Sequence, residues 1–219
     1  MIVAGCHRGI RDLKLHYIAQ FVPGTRAVFA PARIAVAPSR ISMVPAAASP
    51  VSELEVGSVL NEESDVAARL FISDPAPLLT NALLEALFDS GLRPSVIDRS
   101  HVHDLGARKP PSGFDFLLSC DLLRLTVNQR FSPQHTVHGQ VFTMRSSVEM
   151  ACTVHDRAGK KIFAATVTGD ETEPPQRVGN EAFLPLETDP AESLSVALSR
   201  AVGGLILMLR DRAALPLSS

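Results

Sequence analysis

FTMRSSVEMACTVHDRAGKKIFAATVT, residues 142–168, is the stretch from which the fold is read. Phe142, Met144, Val148, Met150, Cys152 and Val154 share one parity, while Thr143, Arg145, Ser147, Glu149 and Thr153 share the other. A period of two sends alternate side chains to opposite faces of a strand, so the segment predicts a long strand with one buried and one wet face. Asp156-Arg157-Ala158-Gly159 supplies turn residues, with a glycine free to adopt a left-handed conformation. Ile162 to Thr168 then returns as the partner strand.

The same alternation holds upstream in Phe114, Phe116, Leu118 and Cys120, before the parity moves to Leu123, Leu125 and Val127 and so predicts a bulge near Asp121. From Asp74 the period lengthens. Leu79, Ala82, Leu83, Ala86 and Leu87 follow helical spacing, with Ser73 or Asp74 as N-cap, Pro75 in the first turn and Gly91 at the exit. A second helix begins at Asp189, Pro190 and Glu192, which read as a capping box, and repeats Leu194, Leu198, Ala201, Leu205 and Met208 as far as about Arg210. Shorter strands are expected at Leu13–Tyr17, Arg33–Val36, Leu54–Leu60, Arg69–Ile72 and Ser95–Ile97. The fold class is therefore α+β: an antiparallel sheet with two main helices packed on one face. Pro23, Gly24, Pro31, Pro38, Pro45 and Pro50 resist helix, so residues 1–50 read as an extended Pro/Ala-rich arm and residues 51–219 as a single domain.

Charge and composition exclude several classes of function. Lys and Arg total 21 against 23 Asp and Glu, so no basic footprint for a phosphate backbone is present. Tyr17 is the only tyrosine and tryptophan is absent, so base stacking would fall entirely to phenylalanines, and nucleic acid is not an expected partner. The best apolar run, Val202 to Leu209, is interrupted by two glycines and bounded by Arg200 and Arg210, so no membrane-spanning helix is expected.

The sharpest local motif is Val3-Ala4-Gly5-Cys6. It matches the lipobox at which a bacterial signal peptidase cuts before a cysteine that then carries acyl chains, and a multiply acylated cysteine anchors stably. Only five residues precede Cys6, so an export signal would lie upstream of Met1. His7, rather than aspartate, follows the cysteine, which by resemblance to enterobacterial lipoproteins favours the outer membrane. Cys120 and Cys152 form the remaining pair, both on core-facing parity. They bond only if their strands are neighbours, and two buried reduced thiols are the expected state.

Sites for chemistry are sparse. His101, His103 and Asp104 place two imidazoles on one side of an extended segment, as some zinc sites begin, but no third ligand stands at informative spacing and a polar surface loop is preferred. Asp170, Glu171 and Glu173 run into Pro174-Pro175 and read as a solvated loop, and His135 and His138 as exposed residues flanking a hairpin turn. With no nucleophile elbow, phosphate-binding loop, paired CxxC or HExxH helix, the chain is read as a non-enzyme with no cofactor.

The lipobox-like start, the helix ending in Leu87-Phe88-Asp89-Ser90-Gly91-Leu92, the strand Phe114-Asp115-Phe116-Leu117-Leu118, the hairpin at Asp156 to Gly159 and the capped C-terminal helix occur in an order that resembles small envelope lipoproteins. The resemblance is to the YajG type and to auxiliary lipoproteins of ABC-type transport systems, over about residues 30–210. It implies a non-catalytic protein at the periplasmic face of the bacterial outer membrane, anchored by lipid alone, with envelope proteins as partners. A carrier of a lipid or small apolar ligand is the alternative, ahead of a metal-dependent hydrolase.

Overall fold

A computed structural model of the chain describes residues 9–18, 28–42, 53–60, 66–97, 109–136, 139–172, 176–178, 189–213 and 215–217. Ten strands and two helices are built from them: β1 Gly9–Asp12, β2 Arg33–Val36, β3 Arg40–Ile41, β4 Glu53–Leu60, β5 Val66–Ser73, α1 Pro75–Asp89, β6 Arg93–Val96, β7 Phe116–Thr136, β8 Gly139–Asp156, β9 Lys161–Thr172, β10 Gln176–Val178 and α2 Pro190–Arg212. The helices pack on the sheet, as the α+β class requires.

β7 is the spine. Along one edge it pairs antiparallel with β8 from Phe116↔Asp156 to Thr136↔Gly139, and β8 pairs in turn with β9 and, further along, with β10. Along its other edge it takes β2, β3 and β4 in succession, all parallel, at Ile34↔Phe116, Arg40↔Asp121 and Gly57↔Val127. The sheet is thus mixed rather than antiparallel throughout: β2, β3 and β4 run in the direction of β7 along the edge that β8 leaves open. β5 pairs antiparallel with β4 and parallel with β1, and β6 lies parallel outside β2.

Met144, Val148, Met150, Cys152 and Val154 are fully buried against the helices, as their parity dictates. The bulge in β7 falls at Leu123, two residues beyond Asp121. Register jumps between Leu122 and Arg124, Leu122 stays in the core, and Leu123 is left unpaired and 38% exposed instead of facing inward. Gly57 marks a second tight place, since a Cβ there would lie 1.7 Å from the Val127 carbonyl oxygen.

α1 opens at Asp74, whose φ of 47° is left-handed and whose side chain makes no cap bond. Ser73, the other cap candidate, instead donates its hydroxyl to Asp12 Oδ1 at 3.1 Å. The exit follows the expected glycine rule. Gly91, at φ 100°, donates to the Phe88 carbonyl and Leu92 to the Leu87 carbonyl, closing a Schellman motif.

α2 is capped at Asp189, whose carboxylate accepts from Ala191 N at 3.0 Å. At 23 residues, with a mean hydropathy of 1.5 over its most apolar window, it is long and apolar enough to cross a membrane, where the sequence reading expected no such element. The fold explains the composition differently: 72% of that window is buried inside the protein. Leu194, Leu198, Ala201, Val202, Leu205 and Leu209 are all enclosed, and a helix apolar on every side belongs in a core as well as in a bilayer.

What encloses its outer side is the N-terminal segment. Leu13–Tyr17 is not a strand: β1 ends at Asp12, and after one bond from Leu13 N to Phe71 O the chain passes over α2. The alternation seen in sequence is nevertheless physical, with Leu13 buried and Leu15 and Tyr17 packed against the core. The backbone finds hydroxyl groups instead of a neighbouring strand. His16 N donates to Ser195 Oγ at 3.2 Å and Ile18 N to Ser199 Oγ at 2.8 Å, while each serine donates to the helix carbonyl four residues back.

Candidate functional site

Asp115 organises the end of the sheet where β7 starts and β8 finishes. Its Oδ2 accepts from Arg33 N at 2.8 Å, and its Oδ1 pairs with the Arg157 guanidinium from the β8–β9 turn. Arg33 in turn stands 5.8 Å from the centroid of the Phe114 ring, in cation–π range. The turn is braced from within, because the Asp156 carboxylate accepts from Ala158 N and Lys160 N, both at 2.9 Å. Gly159, at φ 80°, takes the left-handed position its sequence context predicts.

Beside this cluster lies an open cleft of about 550 Å³, lined by apolar Pro31, Ala32, Phe116, Ala158 and Pro216 and rimmed by Asp115, Asp156 and Arg157. Asp115 and Arg157 are paired, Asp156 is held by backbone N–H groups, and the mouth is wide, which suits contact with another surface. It offers no nucleophile with an adjacent base.

The outer face of the sheet is polar along its middle. Arg40 grips Asp121 with two bonds of 2.8 and 3.0 Å, which raises the guanidinium pKa further, and Arg124 pairs with Glu149 at 3.2 Å. At the Asp115 end this face carries a small apolar cluster of Ala35, Ala37, Ile97 and Leu117, with Phe114 packed on it.

The sequence-nominated residues fall as follows. Cys6, His101, His103, Asp104 and His138 lie outside the described residues; His135 belongs to β7, but its side chain is not described. Asp170 and Glu171 lie in the end of β9 rather than in a loop: Arg200 donates to the Asp170 carbonyl at 2.7 Å while the Asp170 side chain stays exposed, and the same guanidinium pairs with the half-buried Glu171 carboxylate; Glu173 lies outside the described residues. No group of three or more metal-ligating side chains occurs among the described residues. Cys120 and Cys152 are cross-strand partners joined as a disulfide, with Cα atoms 4.2 Å apart, where the sequence reading preferred reduced thiols. The pairing register, invisible in sequence, is what brings them face to face.

Sequence reasoning missed the Asp115 cluster altogether. Its members are separated by up to 124 residues along the chain, and only the meeting of β2, β7 and the β8–β9 turn unites Arg33 with Arg157.

No family model matches the chain, and no curated protein does. Solved structures do share its architecture. The α+β fold is that of a DUF330-family protein from Xanthomonas campestris, with a TM-score of 0.52 over 93% of this chain and 95% of that one at 10% identity. More distant likenesses include lipoprotein GNA1162 of Neisseria meningitidis, at TM-score 0.35, 11% identity and coverage of 65% and 84%, and a minor lipoprotein of Acinetobacter baumannii, at TM-score 0.37, 12% identity and coverage of 85% and 96%.

Proposed function

We propose that this chain is a non-catalytic envelope lipoprotein, anchored through Cys6 at the periplasmic face of the bacterial outer membrane and serving as an accessory or binding component of an envelope assembly or transport system. The observation that carries the reading is Val3-Ala4-Gly5-Cys6 standing three residues before the first strand of the fold. The Cys120–Cys152 disulfide supports it, since structural disulfides persist in oxidising compartments such as the periplasm, and of the three cysteines Cys6 is the one outside that bridge. His7 after the cysteine, and the resemblance to YajG-type and ABC-type auxiliary lipoproteins, favour the outer membrane and a transport-associated role. The paired charges and open cleft at the Asp115 end provide a contact surface for an envelope protein. A ligand carrier would need room between the helices and the sheet, where Leu194, Leu198 and Leu205 of α2 and Met144, Val148 and Met150 of β8 belong to one buried cluster.

The test is metabolic labelling with a clickable palmitate analogue in cells expressing the gene with its natural upstream region, compared with Cys6→Ala by membrane fractionation. Label and membrane association are expected in the wild type and lost in the variant. A soluble, unlabelled wild type overturns the proposal.

A further inference from the structure

We infer that β9 is the docking edge for a second copy of this chain: two β9 strands pair antiparallel about a twofold axis at Thr166, and the sheet continues across the dimer. The inference is independent of acylation at Cys6.

The other strands with a single neighbour are short. β3 has two residues, β10 three, and β1 and β6 four each, with Pro94 inside β6. β9 has twelve, Lys161–Thr172, and among the described residues it pairs with β8 alone. Proteins blunt such edges by brevity, proline, bulges or a charge in mid-strand. β9 has one register shift at its start and then runs without another from Phe163 to Thr172. Ile162 to Gly169, IFAATVTG, contains neither charge nor proline, and Ala164, Thr166 and Thr168 are exposed.

The register shows which backbone groups are available. The Cα atoms of Cys120 and Cys152, 4.2 Å apart, mark a non-hydrogen-bonded pair of β7 and β8, so the Cys152 N–H and C=O point toward β9. Cys152 faces Ala165. Ala165 therefore bonds β8, and alternation turns the N–H and C=O of Ala164, Thr166 and Thr168 outward along the edge. α2 leaves room beside it. Ala197 and Ala201 lie against Gly169, Gly204 shares their helix face at i+7 and i+3, and a Cβ on Gly204 would meet nothing within 4 Å.

Charge selects a second copy as the occupant. Arg157 pairs with Asp115, Glu171 with Arg200, and Asp156 accepts from its own turn. Exposed Lys160 and Lys161 stand at the start of the strand and exposed Asp170 near its end. A strand basic at one end and acidic at the other complements itself when reversed, whereas a parallel copy would bring the lysines together. With Thr166 opposite its own counterpart, Ala164 faces Thr168 of the partner subunit, and Ile162, beside the lysines, faces Asp170 of the partner subunit. The contact uses the same surface twice and closes at two copies.

The test is sedimentation equilibrium on the full chain carrying Cys6→Ala, across the micromolar range, where a reversible dimer is expected. Thr166→Lys, which sets two cations on the axis, and Thr166→Pro, which removes an outward N–H, should each weaken it at least about tenfold. Asn128→Lys, exposed on β7, should leave it unchanged. A second readout is independent of how the fold tolerates lysine or proline: on mild oxidation Thr166→Cys is expected to link two copies, and Asn128→Cys is not. A parent protein that stays monomeric overturns the inference and gives the edge to a strand of a different protein. A dimer equally tight in both Thr166 variants, and not linked through Thr166→Cys, overturns it by placing the interface elsewhere.

Discussion

At the scale of single residues, two glycines, one on β9 and one on α2, respond oppositely to the same added methyl group. A Cβ on Gly169 would sit 2.0 Å from Ala197 O and 2.4 Å from Ala201 N, so β9 and α2 must separate to admit it, whereas a Cβ on Gly204 meets nothing within 4 Å. Gly169→Ala is expected to destabilise the fold by about 2–4 kcal/mol and Gly204→Ala to be neutral or stabilising by up to about 1 kcal/mol, read as shifts of the urea midpoint. Equal shifts would mean that β9 does not press on α2. The cysteines make a second claim at this scale. Alkylation of denatured but unreduced Cys6→Ala protein should modify no thiol, and replacing Cys120 and Cys152 by alanine should cost about 3–4 kcal/mol for a bridge spanning 32 residues. Two modified thiols would restore the reduced state that the sequence favours. Parity put both sulfurs on the core side and was legible; their opposition at one register position was not, because it depends on how far β8 slides along β7.

Among the elements, the N-terminal segment over α2 has a reporter of its own. Tyr17 is the sole tyrosine, half-buried, and its phenol is held above the ordinary value of about 10, first by burial and then by the charges of Asp89 and Glu85 on α1. A raised folded pKa means that the folded state keeps its proton longer than the unfolded chain. The stabilisation is complete below the unfolded pKa and is lost as pH rises through the folded one. Phenolate absorbance should therefore titrate at higher pH in native protein than in urea. Ser195→Ala combined with Ser199→Ala, which leaves His16 N and Ile18 N without their acceptors, should move the native curve toward the unfolded one. Coincident curves in the parent protein would mean that the segment is not docked. The helices and the β7–β8–β9 meander were readable because periodicity and caps are local. This segment misled for a definite reason: Leu13, Leu15 and Tyr17 alternate like a strand, yet the backbone N–H groups of His16 and Ile18 are received by serine hydroxyls of a helix 179 and 181 residues away.

For the molecule as a whole, the parallel pairing of β2, β3 and β4 along β7 was beyond sequence reasoning, since no turn links those strands and their register is set by the assembled core. That architecture makes α2 a core helix despite its membrane-like composition. Its serines show the adaptation. Ser193 shares a 2.8 Å hydroxyl contact with Ser146 on the sheet side, while Ser195 and Ser199 serve the N-terminal segment on the other. Each polar group is matched by a partner that exists only in this fold. Native-state hydrogen exchange on Cys6→Ala protein in detergent-free buffer should consequently find the slowest amides in β7 and β8 near Leu118–Val127 and Met144–Val154, which are paired along both edges, and in α2 from Leu194 to Ile206, which is covered by the sheet and the N-terminal segment. β1, β3, β6 and β10, short strands each paired with a single neighbour, should exchange faster than β7 and β8. If α2 instead exchanged as freely as β6, its burial would be transient, and a helix of that length and hydropathy would be available to the bilayer that Cys6 is proposed to hold nearby.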